Sequence, residues 1–254
     1  MPTHIHLVRH AQGFHNLSVA NQQLPDPELT PLGKEQCAAL CEAFPLHDKI
    51  THLVASPMRR TLYTCLLSFK PAAEAGKTVI ALPEVQEVSN LPCDVGSAPE
   101  KLRAEFDAAA VDLSRVAAGW NDKGLGSPWA PVIERLEARA RTARAWLREL
   151  GAGVEDAHIV VVTHGGFLHF LTEDWDGMNA DKGTGWSNTE YRTYEFADGT
   201  GADPQASLKE TGGSWRRRRG SAIGLTETER MEMRAAAKGY LEEEFAKLGG
   251  SKEG

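Results

Sequence analysis

Ile159-Val160-Val161-Val162 runs without interruption into Thr163-His164-Gly165-Gly166, and the rest of the chain is read outward from this stretch. Four consecutive β-branched residues with no polar alternation fit a strand covered on both faces, as in the middle of a parallel sheet. A histidine and two glycines stand just past its carboxyl end. Open α/β sheets bind ligands outside the carboxyl ends of their strands, so this stretch predicts both a core and a place to look for chemistry.

Upstream, Ile133, Leu136, Ala140, Ala143, Leu147 and Leu150 recur at helical steps and predict a long amphipathic helix ending at Gly151. Ile5 to Val8 reads as a buried strand that ends at Arg9-His10. Thr30 followed by Pro31 has the form of an N-cap and first helical residue, opening a helix through Phe44. Leu53 to Ala55 predicts a strand that stops at Ser56-Pro57, read as another cap and proline with a helix through Phe69. Thr78 to Leu82 and Tyr191 to Phe196 complete the candidate strands. Strands alternating with helices predict a three-layer α/β fold: a mostly parallel central sheet with helices on both faces. Residues 84–131, broken by Pro92, Pro99 and Pro128, read as an insertion over the sheet's end within a domain spanning 1–198. Residues 199–254 read as an appended Gly/Arg-rich segment and charged helix.

The chain has 254 residues with 28 Lys+Arg against 35 Asp+Glu, a net charge of −7, which disfavours a polycationic coat and a nucleic-acid partner. Its 41% apolar and 25% charged residues exclude wholesale disorder. Neither a long apolar window nor a signal-like N-terminus is visible, so the expectation is a soluble, cytoplasmic protein with no membrane partner. Cys37, Cys41, Cys65 and Cys93 are expected as reduced thiols. His4 and His6 share one strand face and are read as a half-polar face in preference to a metal site. Arg216 to Arg219 form a basic run expected to pair with acidic residues of the same chain around 226–229 and 242–244.

Three strand ends carry suggestive groups: Arg9 and His10, Ser56 to Arg60 at a helix start, and His164 with its glycines. Guanidinium forks suit phosphoryl oxygens, a helix start adds free N–H donors, and a neutral imidazole can attack phosphorus. The spacing alone is compatible with any anion binder.

Leu7-Val8-Arg9-His10-Ala11-Gln12-Gly13-Phe14-His15-Asn16 resembles the signature of the histidine phosphatase superfamily, in its phosphoglycerate-mutase-like branch. Leu29 to Gln36, Ser56 to Thr64 and Val161 to Gly166 look like its further blocks, in order. The Arg-His-Ala-Gln-Gly-x-His-Asn form, with Gln86 to Ser89 and Cys93 to Ser97, is similar to fungal phosphomutase-like proteins. The resemblance implies a phosphoglycerate-mutase-like fold, with His10 as nucleophile and Arg9, Arg60 and His164 around the phosphoryl group. Arg60, not Arg59, falls in the family register, and Asn16 and Gly165 match positions that help hold the phosphate. Glu87 best fits the position of the acid that protonates the leaving oxygen, with Glu84 and Asp94 as rivals. Ala11 departs from the more common glycine. No cofactor and no metal are implied, and the partner would be a small-molecule phosphate ester.

The resemblance implies a metal-independent phosphatase acting on phosphate monoesters through a phosphohistidine. The alternatives are a phosphoglycerate-mutase-type phosphoryl transferase and a non-catalytic phosphate-binding protein. An intact nucleophile speaks against the last.

Overall fold

In a computed structural model, residues 3–178 and 184–250 are described, the side chains of 248–250 excepted. The elements run in chain order as β1 (Thr3–Arg9), α1 (Pro31–Ala43), β2 (His52–Ala55), α2 (Arg59–Ser68), α3 (Lys70–Glu74), β3 (Val79–Ala81), α4 (Pro99–Glu105), β4 (Val111–Asp112), α5 (Ile133–Gly151), β5 (Ala157–Thr163), α6 (Gly165–Thr172), β6 (Tyr191–Phe196), β7 (Leu208–Glu210), α7 (Gly212–Arg219) and α8 (Glu227–Gly250). The seven strands form one sheet in the order β4-β3-β2-β5-β1-β6-β7. The first five run parallel, and β6 pairs antiparallel with both β1 and β7.

The β-branched run lies in β5, between β2 and β1, and all seven residues of that strand are buried. Strand alternation divides the core between two faces. Ile5, Leu7, Val54, Ile159 and Val161 pack with Leu136, Ala140, Ala143 and Leu147 of α5 and with Phe167 and Leu168 of α6. Val8, Leu53, Ala55, Val160 and Val162 pack with Leu40 of α1 and with Leu62 and Cys65 of α2. Helices therefore cover both faces of the sheet, giving three layers.

Thr30 caps α1 as expected, accepting from the Gly33 N–H at 3.0 Å. Ser56 does not cap α2: that helix starts at Arg59 with Met58 as its N-cap, and Ser56 turns its hydroxyl toward His164. Residues 84–131 also hold more regular structure than their prolines suggested, since they include α4 and the edge strand β4. From the segment expected to be appended, β7 joins the sheet by pairing Tyr194 with Glu210. Helix α8 lies against α5, where Arg234 donates to Glu137 at 2.8 Å and Leu241 is buried.

The basic run finds intramolecular acids, though not those expected. Arg218 pairs with Glu210 at 2.7 Å and Arg219 with Asp176, while the Arg217 guanidinium stacks over Tyr191. Glu210 stands eight residues before Arg218 at the end of β7, and Asp176 stands 43 residues before Arg219, ahead of β6, so both acids precede the basic run and do not follow it as expected. All four cysteines are free thiols. No described helix is long and apolar enough to cross a membrane.

Candidate active site

The register places the chemistry. Arg9 pairs with Thr163 and Ala55 with Val162, so β1, β5 and β2 end side by side and deliver His10, His164 and Ser56 to one rim. Backbone bonds from His10 N–H to the Thr163 carbonyl at 2.9 Å and from Ser56 N–H to Val162 at 3.0 Å continue the ladder into the site. This is the point where the chain order reverses across the sheet: β2 continues outward to β3 and β4, while β5 continues across β1 to β6 and β7.

His10 is 2% exposed, and its Nδ1 lies 2.7 Å from the Ala11 carbonyl. A carbonyl only accepts, so Nδ1 carries the proton and Nε2 keeps its lone pair. Burial first, then the charge of Arg60 and the neighbouring His15 and Arg9, holds this imidazole well below its ordinary range and therefore neutral. The His164 ring centroid is 5.2 Å away and that of His15 5.3 Å.

Arg60 is fully buried and extends its fork across the site. Nη1 donates to the Cys93 carbonyl at 2.6 Å, and Nη2 donates to Asp94 at 2.9 Å and to His164 Nδ1 at 3.0 Å. His164 Nδ1 is thus an acceptor, so the neutral ring donates from Nε2 to the Ser56 hydroxyl at 2.9 Å. Arg59, one residue earlier on α2, points elsewhere and pairs with Glu105 at 2.8 Å and with Glu28. Arg9 donates from Nη1 to the Trp186 carbonyl, and its buried Nε has no protein partner. The Arg60 Nε is likewise buried and unpartnered. Two unpartnered guanidinium donors beside a bare imidazole nitrogen suit an arriving phosphoryl group.

The three candidate acids separate clearly. Asp94 is committed to Arg60 and also accepts from the Ser89 hydroxyl at 2.6 Å. Glu84 lines a separate groove with Arg115, Trp120 and Trp129. Glu87 sits against the start of α6: Oε1 accepts from Val88 N–H and Phe167 N–H, each at 2.9 Å, and Oε2 accepts from Gly166 N–H at 3.2 Å. Burial and then the Asp94 carboxylate push Glu87 above the ordinary carboxylate range, against the opposing pull of Arg60 and the N–H donors. Oε2, with its single longer contact, is the oxygen with room for a proton.

The glycine pair has a geometric role. A Cβ on Gly166 would meet Glu87 Oε1 at 2.7 Å, and one on Gly165 would meet the Thr184 side chain at 2.4 Å. The missing side chain at 166 therefore lets the acid reach the helix start, while Gly165 accommodates Thr184. Asn16 is exposed and accepts from Gly13 N–H at 3.0 Å, shaping the loop that carries His15. Ala11 is fully buried with Leu29 and Cys37, its N–H donating to the Thr64 hydroxyl at 3.0 Å.

Sequence patterns did not single out Lys123 and Arg139. Both donate to the Glu87 carbonyl, at 2.7 and 3.3 Å, and both are buried. Burial draws Lys123 well below its usual range and brings Arg139 down to about 9. Lys123 stands in an irregular loop with no motif around it, and Arg139 looks like an ordinary polar position on α5. Trp120 is a packing residue, its indole against Gly96 and its Nε1 donating to the Ser97 carbonyl at 3.1 Å.

The family model described as the histidine phosphatase superfamily, branch 1, matches residues 5–202. A phosphoglycerate mutase-like protein of Arabidopsis thaliana is 26% identical over 235 residues, covering 76% of this chain and 84% of its own. A glucosyl-3-phosphoglycerate phosphatase of Mycolicibacterium vanbaalenii is 27% identical over 183 residues, 69% and 75% of the two chains. Among solved structures, a phosphoglycerate mutase from Bacillus anthracis matches the fold with a TM-score of 0.54 at 16% identity, over 93% of this chain and 97% of its own.

Proposed function

Because the chain belongs to the histidine phosphatase superfamily, branch 1, we propose that it is a phosphoric monoester hydrolase that works through a phosphohistidine at His10. The reading is carried by one observation: the proton of His10 is pinned on Nδ1 by Ala11, leaving a neutral Nε2 beside Arg60 and His164. A phosphatase among the relatives supports hydrolysis as the outcome.

In the first step Nε2 of His10 attacks phosphorus and the ester P–O bond breaks as the N–P bond forms. Glu87 supplies the proton to the leaving oxygen, which departs as an alcohol. Arg9 and Arg60 hold equatorial oxygens through their unpartnered Nε donors where charge builds up, and His164 joins them by turning its Nε2–H from the Ser56 hydroxyl to the phosphoryl group. In the second step Glu87 takes a proton from water, the water oxygen bonds to phosphorus, the N–P bond breaks and inorganic phosphate leaves. Asp94 is a positioning residue that aims the Arg60 fork.

The substrate class is a small phosphate monoester. The test is acid-sensitive, base-stable label on the protein after a short exposure to a phosphorus-labelled aryl phosphate. Label on the unmodified chain and none on His10→Ala supports the reading. Phosphate release without any label, or label persisting in His10→Ala, contradicts it. Transfer of the label to a second hydroxyl in place of water would identify a transferase.

A further inference from the structure

Another group of histidines lies at the opposite end of the same two strands. His4 of β1 and His158 of β5 are register partners, and Asp156 immediately precedes β5. Asp156 Oδ1 is 3.4 Å from His158 Nε2 and 3.6 Å from His4 Nε2, and the three atoms all lie within 4.8 Å of one another. Donors bound to one tetrahedral zinc ion at about 2.0–2.1 Å stand about 3.3–3.4 Å apart, so two edges are nearly formed. The third closes by a modest swing of His4, whose side chain is 22% exposed.

The surrounding groups orient these ligands. His4 Nδ1 faces Glu195 Oε1 at 3.2 Å; a carboxylate accepts, so Nδ1 holds the proton and Nε2 presents a lone pair to Asp156. His158 Nδ1 is 3.0 Å from His6 Nε2, and His6 Nδ1 is 3.0 Å from the Thr193 hydroxyl. When the Thr193 hydroxyl accepts from His6 and His6 accepts from His158, His158 Nε2 keeps a lone pair that a metal can take. That nitrogen is buried and has no hydrogen-bond partner in a residue only 5% exposed. Lys49 donates to the other oxygen of Asp156 at 3.0 Å, which holds the carboxylate and leaves Oδ1 directed at the histidines.

We propose that His4 Nε2, His158 Nε2 and Asp156 Oδ1 bind a divalent ion of the zinc class, fastening β1 to β5 with a fourth position left to solvent. Two imidazoles and a carboxylate suit zinc and neighbouring transition metals better than magnesium or calcium. Glu195 and the His6–Thr193 pair supply the outer hydrogen bonds that such ligands require. The role is structural: six strand positions at about 3.3 Å each separate His4 from His10, so the ion would lie about 20 Å from the nucleophile.

The test uses the full chain prepared without added histidines, stripped with a chelator and dialysed against zinc. The expected result is one zinc per chain, a melting temperature raised by roughly 5–10 °C at a hundredfold excess over Kd, and intense visible absorption with cobalt in its place. His4→Gln and Asp156→Asn, at partly exposed positions that should tolerate change, are each expected to lower affinity at least tenfold while phosphatase activity is unchanged. His158→Ala should do the same if it folds. Zinc held equally well by the His4→Gln/Asp156→Asn double variant, as binding at His10 and His164 would produce, overturns the proposal. So does failure of the unmodified chain to retain zinc or to show the cobalt absorption.

Discussion

The two ends of β1 and β5 each gather three histidines: His10, His15 and His164 at the carboxyl end, His4, His6 and His158 at the amino end. They differ in the charge around them. Arg9 and Arg60 flank the first group, whereas Asp156 and Glu195 flank the second. Surrounded by guanidinium groups, a neutral imidazole faces an incoming anion and can act as a nucleophile. Surrounded by carboxylates, the same ring is suited to share a cation. The ligand class is set by the neighbours' sign and not by the histidine itself.

Removing His10 is the largest test of that comparison. His10→Ala should lower kcat by at least about 10⁴-fold with the fold retained by circular dichroism; appreciable residual turnover would mean that the carboxyl end is not the catalytic one. Glu87→Gln comes next. It should reduce turnover of alkyl phosphates by about 10²–10⁴-fold, much less for aryl phosphates whose leaving oxygen needs no proton, and it should remove the alkaline fall in the pH profile. With Glu87 as the proposed acid, turnover requires its protonated form, whose range burial raises above the usual carboxylate value. Equal losses on both substrate types would assign the acid elsewhere.

Gly166→Ala should cost about tenfold in kcat, because its Cβ would stand 2.7 Å from Glu87 Oε1 and displace the acid. Gly165→Ala meets Thr184 instead and should weaken stability more than it alters the response to leaving group. If the two variants behave alike, the separation between them is wrong.

Sensitivity to acid is shared by several groups and reads on stability instead of turnover. Native His6 is held down to about 3 by burial, then by His158 and His4, whereas the unfolded imidazole titrates near 6.5. As pH falls below 6.5 the unfolded chain takes up a proton that the native chain does not. Stability is therefore lost from about pH 6.5 toward pH 3, by up to about 1.4 kcal/mol per pH unit for each such histidine. His10 and His164 act in the same direction. Urea unfolding from pH 7 to pH 4 should show a falling midpoint, and a flat profile would contradict the buried neutral histidines.

Much of the carboxyl end could be read from the chain. An uninterrupted β-branched run fits burial on both sides, and the residues directly after such a strand lie at the rim of the sheet; His164 was found in that way. The choice of Arg60 over Arg59 came from motif register and agrees with their directions on α2. The Ser56-Pro57 pair misled because a serine before a proline has the local form of a cap, while its hydroxyl was claimed by His164 across the sheet. Glu87, Glu84 and Asp94 are chemically alike in sequence, and only the tertiary structure gives them different surroundings: Asp94 pairs with Arg60, and Glu87 fits against the start of α6.

The sequence by itself determined the parallel core, the strand ends and the candidate nucleophile, because strand and helix periodicities are local and the motif around His10 is contiguous. Tertiary structure alone decided that Lys123 and Arg139 both donate to the Glu87 carbonyl, that Arg218 and Arg219 pair with Glu210 and Asp176, and that His4, Asp156 and His158 come within 4.8 Å of one another. Each of those contacts joins groups brought together by strand register or loop packing, and neither leaves a periodic trace in the chain.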